Sequence, residues 1–387
     1  MAAITGAARH PAVRARVARR DAARRSTTAY VLLFAVLAVL ALVGLVMVLS
    51  ASSVLAVRED RSSWFYFSRQ LVGVAIGFAL FVITVRVDYR RWRQWSLLLY
   101  VGSLGLLVAV LMPGIGATRN GSSRWIDLGV MQLQPSELAK LATLLVVCDV
   151  CARRQAWVNR PDKVLRPALV LFGAVALLLM AQPNLGTTLV LGATVLAVLF
   201  CAGVPGGSLA RWGLGGAALA LLATLKTDYR RARLLAFLDP WADPASTGYQ
   251  IIQSQVSLAS GGWFGVGLGS SRAKWGFLPE AHTDFIFAII GEELGLVGAF
   301  FVLGLFGALG YLGLRAAAQA PDTFGRLLAT GITTWFCVQA FVNIGAVVGV
   351  LPITGVPLPF ISFGSSAMLA NMAAAGILCN ICRHSRR

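Results

Sequence analysis

The chain has 387 residues, of which 57% are hydrophobic and only 13% are charged, and its mean hydropathy is +0.74. This composition excludes an ordinary soluble globular domain and indicates a polytopic membrane protein. The formal net charge of +18 would suit a nucleic-acid-binding protein, but no nucleic-acid-binding motif accompanies it. The positions of the 34 basic residues along the chain decide what this charge means.

The N-terminal tail, residues 1–27, holds seven arginines, and an uncharged run extends from Ser26 to Val57. That run is too long for the hydrophobic part of a signal peptide. It therefore predicts a retained first membrane span, with the arginine-rich tail in the cytoplasm.

Uncharged runs predict ten membrane helices, each near the length of about 20 residues that a bilayer requires. Prolines divide two long runs, at Gln182-Pro183-Asn184 and within residues 351–359. The predicted spans are residues 30–53, 68–87, 95–113, 134–152, 165–182, 185–204, 209–225, 285–314, 327–350 and 363–382. We predict an all-α polytopic fold with a single membrane domain over residues 28–383. It includes a large extracytoplasmic loop at 226–283, between the seventh and eighth spans, and a cytoplasmic tail follows at 384–387.

An even number of spans places both termini in the cytoplasm and most basic residues on the inner side, so the positive charge mainly reports orientation. Two C-x-x-C pairs, Cys148 with Cys151 and Cys379 with Cys382, fall near predicted cytoplasmic helix ends. Without the loop context of a zinc or redox site, they are interpreted as small buried side chains.

Two predicted outer segments are too elaborate for simple turns. The first, 114–134, contains Arg124 and leads into a helix where Glu137 and Lys140 lie three residues apart. That spacing suits either an ion pair on one helix face or a contact with substrate. The second is the 58-residue loop at 226–283, whose aromatic residues predict a position on the membrane interface.

The end of that loop carries the residues that most need a chemical explanation. Arg272 and Lys274 follow a run of glycines. Cationic side chains beside exposed backbone amides suit a phosphate or pyrophosphate group. The sequence therefore predicts an anionic lipid headgroup at the outer leaflet as the ligand.

Asp284 is the candidate general base. If Pro279 begins a helical turn, Glu280 and Asp284 lie on one face at i,i+4. Two neighbouring carboxylates raise the pKa of one of them, which suits proton transfer near neutral pH. The alternative is that Asp284 only stabilises the start of its membrane helix through its charge.

Glu292 and Glu293 lie two turns deeper, in an otherwise uncharged helix. Carboxylates inside a membrane are costly and usually have a partner. We expect a structural role for both, with Lys140 or a backbone group as the partner. A proton relay is the competing interpretation.

Four segments resemble the signature segments of the SEDS proteins, the shape, elongation, division and sporulation proteins of bacteria. They are QPSELAK at 134–140, GYQIIQSQVSLASGGWFGVGLGSS at 248–271, LPEAHTDFIFAIIGEELG at 278–295 and NIGAVVGVLPITGVPLPFISFGSS at 343–366. The match runs in order through the chain. In sequence, these segments are most similar to the FtsW cell-division branch of the family, followed by the RodA elongation branch.

The resemblance implies a ten-helix peptidoglycan glycosyltransferase that polymerises lipid II into glycan strands at the outer face of the bacterial plasma membrane during division. It implies that Asp284 activates the 4-hydroxyl of the acceptor GlcNAc, which attacks the anomeric carbon of a polyprenyl-pyrophosphate-linked donor. The residues expected to bind substrate or pyrophosphate are Arg124, Lys140, Lys274 and Glu280, together with Arg272 and His282 in the same stretch. Glu137, Glu292 and Glu293 are expected to be structural or to relay protons.

One position departs from the family pattern. The usual QPDLGT reads QPNLGT at 182–187, so the amide Asn184 replaces a carboxylate. An amide can form hydrogen bonds but cannot act as a base. Asn184 is therefore retained only as a substrate-contact candidate.

The resemblance also implies partners: lipid II, the nascent undecaprenyl-pyrophosphate-linked glycan, a class B penicillin-binding protein that crosslinks the strands, and other divisome membrane proteins. No cofactor is required by the sequence. Assistance by Mg²⁺ or Mn²⁺ stays open, because acidic residues are present but no ligand spacing indicates a metal. The alternatives are a lipid II flippase, a RodA-type elongation polymerase and a divisome scaffold without its own activity.

Overall fold

The structure is a computed structural model that describes residues 11–119, 122–127, 129, 132–158 and 160–384. Twelve α-helices dominate this part of the chain. They are α1 Pro11–Arg58, α2 Phe65–Arg86, α3 Tyr89–Ala109, α4 Pro135–Arg153, α5 Pro161–Ala181, α6 Leu185–Cys201, α7 Gly206–Leu225, α8 Asp228–Leu238, α9 Tyr249–Ser260, α10 Ile286–Ala318, α11 Thr323–Val348 and α12 Ser365–Arg383.

The long helices follow the predicted hydrophobic segments. All except α8 and α9 have 17 residues or more, and each of these long helices overlaps one predicted span. Within the described residues, seven are long and apolar enough to cross a membrane: α1 from Thr28, α2, α5 from Asp162, α7, α10, α11 and α12. Helix α6 is apolar but shorter, and α3 and α4 carry several charged residues. The chain is therefore a multi-pass membrane protein.

The predicted tails are only partly described. Helix α1 begins at Pro11 and continues without a break into its apolar part, so the described half of the tail at 1–27 is helical. Residues 1–10 lie outside the described residues, as does nearly all of the predicted tail at 384–387, of which only His384 is included.

Helix α12 lies near the centre of the bundle and α7 at its edge. Of the most apolar stretch of α12, 83% is buried, compared with 11% for α7. Helix α12 packs along α2, and α10 packs along α11. Trp335, Phe336 and Phe360 form a buried aromatic cluster. Because Phe360 lies between α11 and α12, this connection is held in the core and is not a surface loop.

The first outer segment forms a small antiparallel sheet, so the all-α prediction needs a correction. Its strands are β1 Gly116–Arg119, β2 Ser122–Asp127 and β3 Gln132–Leu133, in the order β1-β2-β3. Ala117 pairs with Trp125, and Ile126 pairs with Leu133. Short runs in a segment with several glycines give little hydrophobic periodicity, which is why the strands were not predicted. The sheet places Arg124 at the end of the bundle where α3 ends and α4 begins.

The long loop at 226–283 is largely structured. It contains α8, α9 and two short 3-10 turns, Pro240–Ala242 and Ala273–Trp275. Helix α9 packs against α10 and α11. Residues 261–270, which we call the inserted loop, follow α9 directly.

Helix α10 is broken at Gly295, whose φ of 67° and ψ of −165° are not helical. The inserted loop supplies hydrogen bonds to the backbone on both sides of this break. These bonds run from the amides of Leu296 and Val297 to the carbonyls of Gly262 and Trp263 (2.9 and 3.2 Å), and from the amides of Val266 and Gly267 to the carbonyls of Glu292 and Glu293 (3.0 and 3.1 Å). The loop and the outer part of α10 are therefore one structural unit.

Candidate functional site

Asp284 lies two residues before α10, in a turn and not on a helix. The prediction that Pro279 begins a helical turn is wrong, because Glu280 has a left-handed φ of 56° and α10 begins only at Ile286. The carbonyl of Glu280 accepts hydrogen bonds from the amides of Thr283 and Phe285, both at 3.2 Å. A left-handed residue interrupts a right-handed helix, so Glu280 and Asp284 do not share a helix face.

The segment before α12 holds this turn in place. The amide of Phe363 donates to the carbonyl of His282 at 3.0 Å, and the Ser362 hydroxyl donates to the carbonyl of Thr283 at 2.6 Å. The turn that carries Asp284 is thus fixed by residues about 80 positions away in sequence.

The Asp284 carboxyl group has the electrostatics of a base that works near neutral pH. Burial raises its pKa to about 6, and the nearby charge of Glu280 also raises it. Arg233 and Arg124 act in the opposite direction. The two acids therefore interact even though the predicted helical geometry is absent.

Arg124 joins the sheet to the connection between α5 and α6. Its Nε donates to the carbonyl of Gln182 at 2.8 Å, and its Nη2 donates to the carbonyl of Pro183 at 2.7 Å. Burial lowers the pKa of the Arg124 guanidinium, while the charge of Asp284 raises it. Arg124 thus has a structural role and also lies within electrostatic reach of Asp284.

Helix α8 contributes two arginines that the sequence analysis did not single out. Arg233 affects the pKa of both Asp284 and Arg124, and Arg230 affects that of Arg124. They are three residues apart, so they lie on the same side of α8. This i,i+3 spacing in an outer loop is the signal that would have identified them.

A small cavity, with room for about one group the size of a water molecule or a hydroxyl, opens beside Asp284. Its lining comprises Asp284, Phe285, Asn343, Ala346, Val347, Ile353, Thr354, Gly355 and Val356. The space is bounded on one side by α11 and on the other by the segment 353–356. A Cβ atom built on Gly355 would lie 3.5 Å from Oδ2 of Asp284. The carboxyl group therefore closely approaches the backbone of this segment.

Asn343 supports the backbone of the catalytic candidate. Its Nδ2 donates to the carbonyl of Asp284 at 2.7 Å and to that of Val356 at 2.8 Å. The residue lies in one of the segments that resemble the SEDS proteins, but the sequence analysis assigned it no role. An asparagine within an apolar helix is the signal that could have identified it.

Glu292 and Glu293 bind the residues that follow the inserted loop. Glu292 accepts hydrogen bonds from the amides of Arg272 and Ala273, at 2.8 and 3.3 Å. Glu293 accepts from the Ser50 hydroxyl at 2.7 Å and lies 3.5 Å from Nζ of Lys274. The expected partner Lys140 is therefore wrong, whereas the expected backbone partner is present.

Lys274 and Arg272 differ in what they offer to a ligand. The Lys274 ammonium is buried between Glu293 and the carbonyl of Gly269, and its side chain is only 4% exposed. Arg272 uses its backbone amide to anchor the loop, and the residue itself is exposed. Only Arg272 of this pair presents its charge at the surface.

Lys140 forms the ion pair that its spacing allowed. Its Nζ lies 2.9 Å from Oε1 of Glu137 and donates to Oε1 of Gln339 at 2.7 Å. Both charged side chains are 2% exposed. The pair thus links α4 to α11 inside the bundle, and removing one partner would leave an uncompensated buried charge.

Asn184 and His282 also have local structural explanations. The Oδ1 of Asn184 accepts from the amide of Thr187 at 3.4 Å and caps α6, as an aspartate would. His282 is buried between Tyr66 and Phe363, and the centre of its ring lies 5.0 and 5.5 Å from the centres of their rings. Burial lowers the pKa of His282, which favours its neutral form at neutral pH.

The residues around Asp284 are a poor fit to a protein-held divalent cation. Across the described ranges, no group of three or more His, Cys, Asp or Glu side chains is arranged to hold a metal. Glu280 and Asp284 are two carboxylates, and the positive charges of Arg124 and Arg233 beside them oppose a cation at this position. We derive no chemical step through a cation.

The four cysteines of the two C-x-x-C pairs, Cys148, Cys151, Cys379 and Cys382, are buried.

Comparison with known proteins places the chain in a family. A protein of Geobacter metallireducens described as a probable peptidoglycan glycosyltransferase FtsW is 42% identical over 342 residues, covering 87% of this chain and 90% of that protein. Stage V sporulation protein E of Bacillus subtilis is 41% identical over 362 residues, covering 94% of this chain and 99% of that protein.

A solved structure shares the fold. It belongs to a peptidoglycan synthase complex, studied for the structural coordination of polymerization and crosslinking. The matching chain is 32% identical, has a TM-score of 0.75 and aligns over 91% of this chain and 96% of its own length. The sequence model of the FtsW, RodA and SpoVE cell cycle proteins matches residues 30–387. The chain therefore belongs to the FtsW/RodA/SpoVE family of cell cycle proteins, the SEDS family.

Proposed function

We propose that the protein is a peptidoglycan glycosyltransferase that polymerises lipid II into glycan strands at the outer face of the plasma membrane. One observation carries this proposal: Asp284, whose pKa is raised to about 6, faces a cavity and lies within electrostatic reach of Arg124 and Arg233. A base for a hydroxyl group and cations for a pyrophosphate are the two requirements of this reaction. The names of the related proteins agree with this activity.

In the proposed reaction, the Asp284 carboxylate takes the proton of the acceptor 4-hydroxyl. The oxygen of that hydroxyl forms a bond to the anomeric carbon of the donor sugar. The bond between this carbon and the pyrophosphate oxygen breaks, and the polyprenyl pyrophosphate leaves with the electron pair. Arg124 and Arg233 stabilise the negative charge that develops on the leaving group. Burial and the charge of Glu280 keep the pKa of Asp284 high, and Arg272 and Arg230 extend the cationic surface.

We further propose ten membrane spans in a single domain over residues 28–383, with both termini in the cytoplasm. The ten long helices, each overlapping one predicted span, support this arrangement. Arg124, Asp284 and α8 then lie on the outer side. Arg90, Arg93 and Arg153 lie at the opposite end, in accordance with the distribution of basic residues in membrane proteins.

The proposed substrates and partners are lipid II, the growing lipid-linked glycan, a class B penicillin-binding protein and other divisome proteins. The structural neighbour from a complex that couples polymerization to crosslinking supports the transpeptidase partner. The similarity to the relative named FtsW supports a role in cell division. The sporulation relative is nearly as similar, so a role in sporulation or, as in RodA, in elongation is the alternative within the family.

The test is glycan polymerisation from lipid II by the purified protein, alone and with its transpeptidase. Asp284→Asn preserves the shape of the side chain but removes the base, and we expect the rate to fall about 100-fold or more. Asp228→Asn makes the same change on an exposed acid of the same loop and should leave the rate unchanged. Wild-type polymer yield from Asp284→Asn would refute the assignment.

The same preparation distinguishes the other functions. A flippase would bring lipid II to the outer surface of proteoliposomes without forming polymer. A scaffold would bind its partner but produce no polymer under any condition. The grouping of charged residues around Asp284 favours chemistry over transport, since transporters place polar groups across the membrane depth.

A further inference from the structure

The amide orientation of Asn343 is fixed by its surroundings. The residue lies on α11, is 3% exposed and lines the cavity beside Asp284. Its Nδ2 donates to two carbonyl oxygens, those of Asp284 and Val356. Carbonyl oxygens only accept hydrogen bonds, so the NH₂ group must face them. The remaining polar atom, Oδ1, is therefore the one that Asn343 can offer to a ligand.

Two buried polar atoms of the cavity lining lack hydrogen-bond partners within the described part of the chain. They are Oδ1 of Asn343 and Oγ1 of Thr354. Both residues line the same cavity as Asp284. Buried polar atoms are nearly always paired in folded proteins, so two such atoms in one cavity call for an explanation.

The chemistry of these atoms selects the kind of group that they can bind. The Oδ1 of Asn343 is only an acceptor of hydrogen bonds, whereas the Thr354 hydroxyl can donate or accept. A pyrophosphate offers only acceptors and would leave Asn343 unpaired. A sugar hydroxyl donates and accepts, and it can therefore pair with both residues.

We propose that Asn343 and Thr354 form a specificity subsite that binds a hydroxyl of the acceptor sugar next to the hydroxyl that attacks. This inference rests on the proposed function, in which the 4-hydroxyl of GlcNAc gives its proton to Asp284. The flanking groups are the 3-hydroxyl and the 6-hydroxyl. Binding one of them turns the sugar so that the 4-hydroxyl points at the carboxylate, while the arginines remain available to the pyrophosphate of the donor.

Thr354→Val tests the subsite because valine keeps the shape of threonine and removes only the hydroxyl. We expect kcat/KM for polymerisation to fall about tenfold, since a hydrogen bond to substrate is lost, with no loss of thermal stability. Thr143→Val is the matched control. Thr143 is also a buried threonine whose hydroxyl has no partner among the described residues, but it lies on α4 and does not line the cavity. Its activity should equal that of the wild type.

Lipid II analogues that lack the 3-hydroxyl or the 6-hydroxyl of GlcNAc identify the group. The wild-type rate should fall about tenfold with one of the two analogues, and Thr354→Val should show no further loss with that analogue, because the same contact is already absent. Equal rates for Thr354→Val and Thr143→Val would overturn the subsite. An unchanged sensitivity of Thr354→Val to both analogues would do so as well.

Failure of this inference can be told apart from failure of the proposed function. If Asp284→Asn is inactive while Thr354→Val matches the wild type, only the subsite is wrong. If Asp284→Asn polymerises normally, the proposed role of Asp284 falls first.

Discussion

Glu280→Gln is expected to move the acid limb of the polymerisation rate to lower pH. Asp284 must be ionised to accept a proton, and burial and the charge of Glu280 both raise its pKa. Removing the negative charge of Glu280 makes ionisation of Asp284 easier, so its pKa falls. Glu280 is exposed, and its side chain accepts one hydrogen bond, from Thr283 at 2.8 Å. Glutamine can also accept this bond, so the fold should be little affected.

The size of the effect follows from the pKa of about 6 for Asp284. A base with this pKa is about 90% ionised at pH 7 and about 10% ionised at pH 5, so the wild-type rate should fall about tenfold between these values. With the ordinary pKa of 3.8, the same group would stay more than about 90% ionised and the rate would hardly change. For Glu280→Gln, the fall in rate between pH 7 and pH 5 should lie between these limits, because burial, the larger cause of the raised pKa, is unchanged.

The assay is kcat/KM for glycan polymerisation from pH 4.5 to 8, with protein stability followed over the same range, because kcat/KM reports the pKa of the unliganded protein. Asp228→Asn removes a charge of the same sign elsewhere in the loop and should keep the wild-type profile. The reasoning is refuted if the wild-type rate is the same at pH 5 and pH 7, or if Glu280→Gln moves the acid limb to higher pH.

Two further predictions concern the cationic surface and the inserted loop. Arg233→Gln removes a charge that lowers the pKa of Asp284, so the acid limb of the pH profile should move to higher pH, opposite to the shift for Glu280→Gln. An unchanged profile would show that α8 does not reach the site. Gly265→Ala should lower the melting midpoint of the purified protein by an amount equivalent to about 1–3 kcal/mol, because φ is 79° and the new Cβ would lie 2.1 Å from a carbonyl of α10. Gly105→Ala, in open space on α3, should leave the midpoint unchanged or raise it.

The long helices were predictable because each membrane span needs a long run of apolar residues, and proline marks the breaks. The turn that carries Asp284 was not predictable in the same way. Proline before an acidic residue suits a helix start. Glu280 instead adopts a left-handed conformation, within a turn held by hydrogen bonds from Ser362 and Phe363. These bonds join parts of the chain that no local pattern connects.

The sequence likewise could not predict which charged residues form ion pairs. Glu293 could have paired with Lys140 or with Lys274, and spacing along the chain does not distinguish them. Arg233 and Asn343 lie on different helices, and their relation to Asp284 exists only in the assembled bundle. The sequence thus singled out Asp284 as the candidate base, while the groups that adjust its pKa and support its backbone depend on long-range packing.

The hydrogen bonds of Glu292 and Glu293 have a consequence for how the protein enters the membrane. Two acidic side chains on an isolated α10 would each oppose its insertion, since a charged residue at the centre of a membrane helix costs about 2.5–3.5 kcal/mol. Their partners, residues 271–274, are synthesised about 20 residues earlier. We therefore expect residues 271–274 to stay near the membrane until α10 emerges, and a chain cut between these two segments to fail to integrate α10.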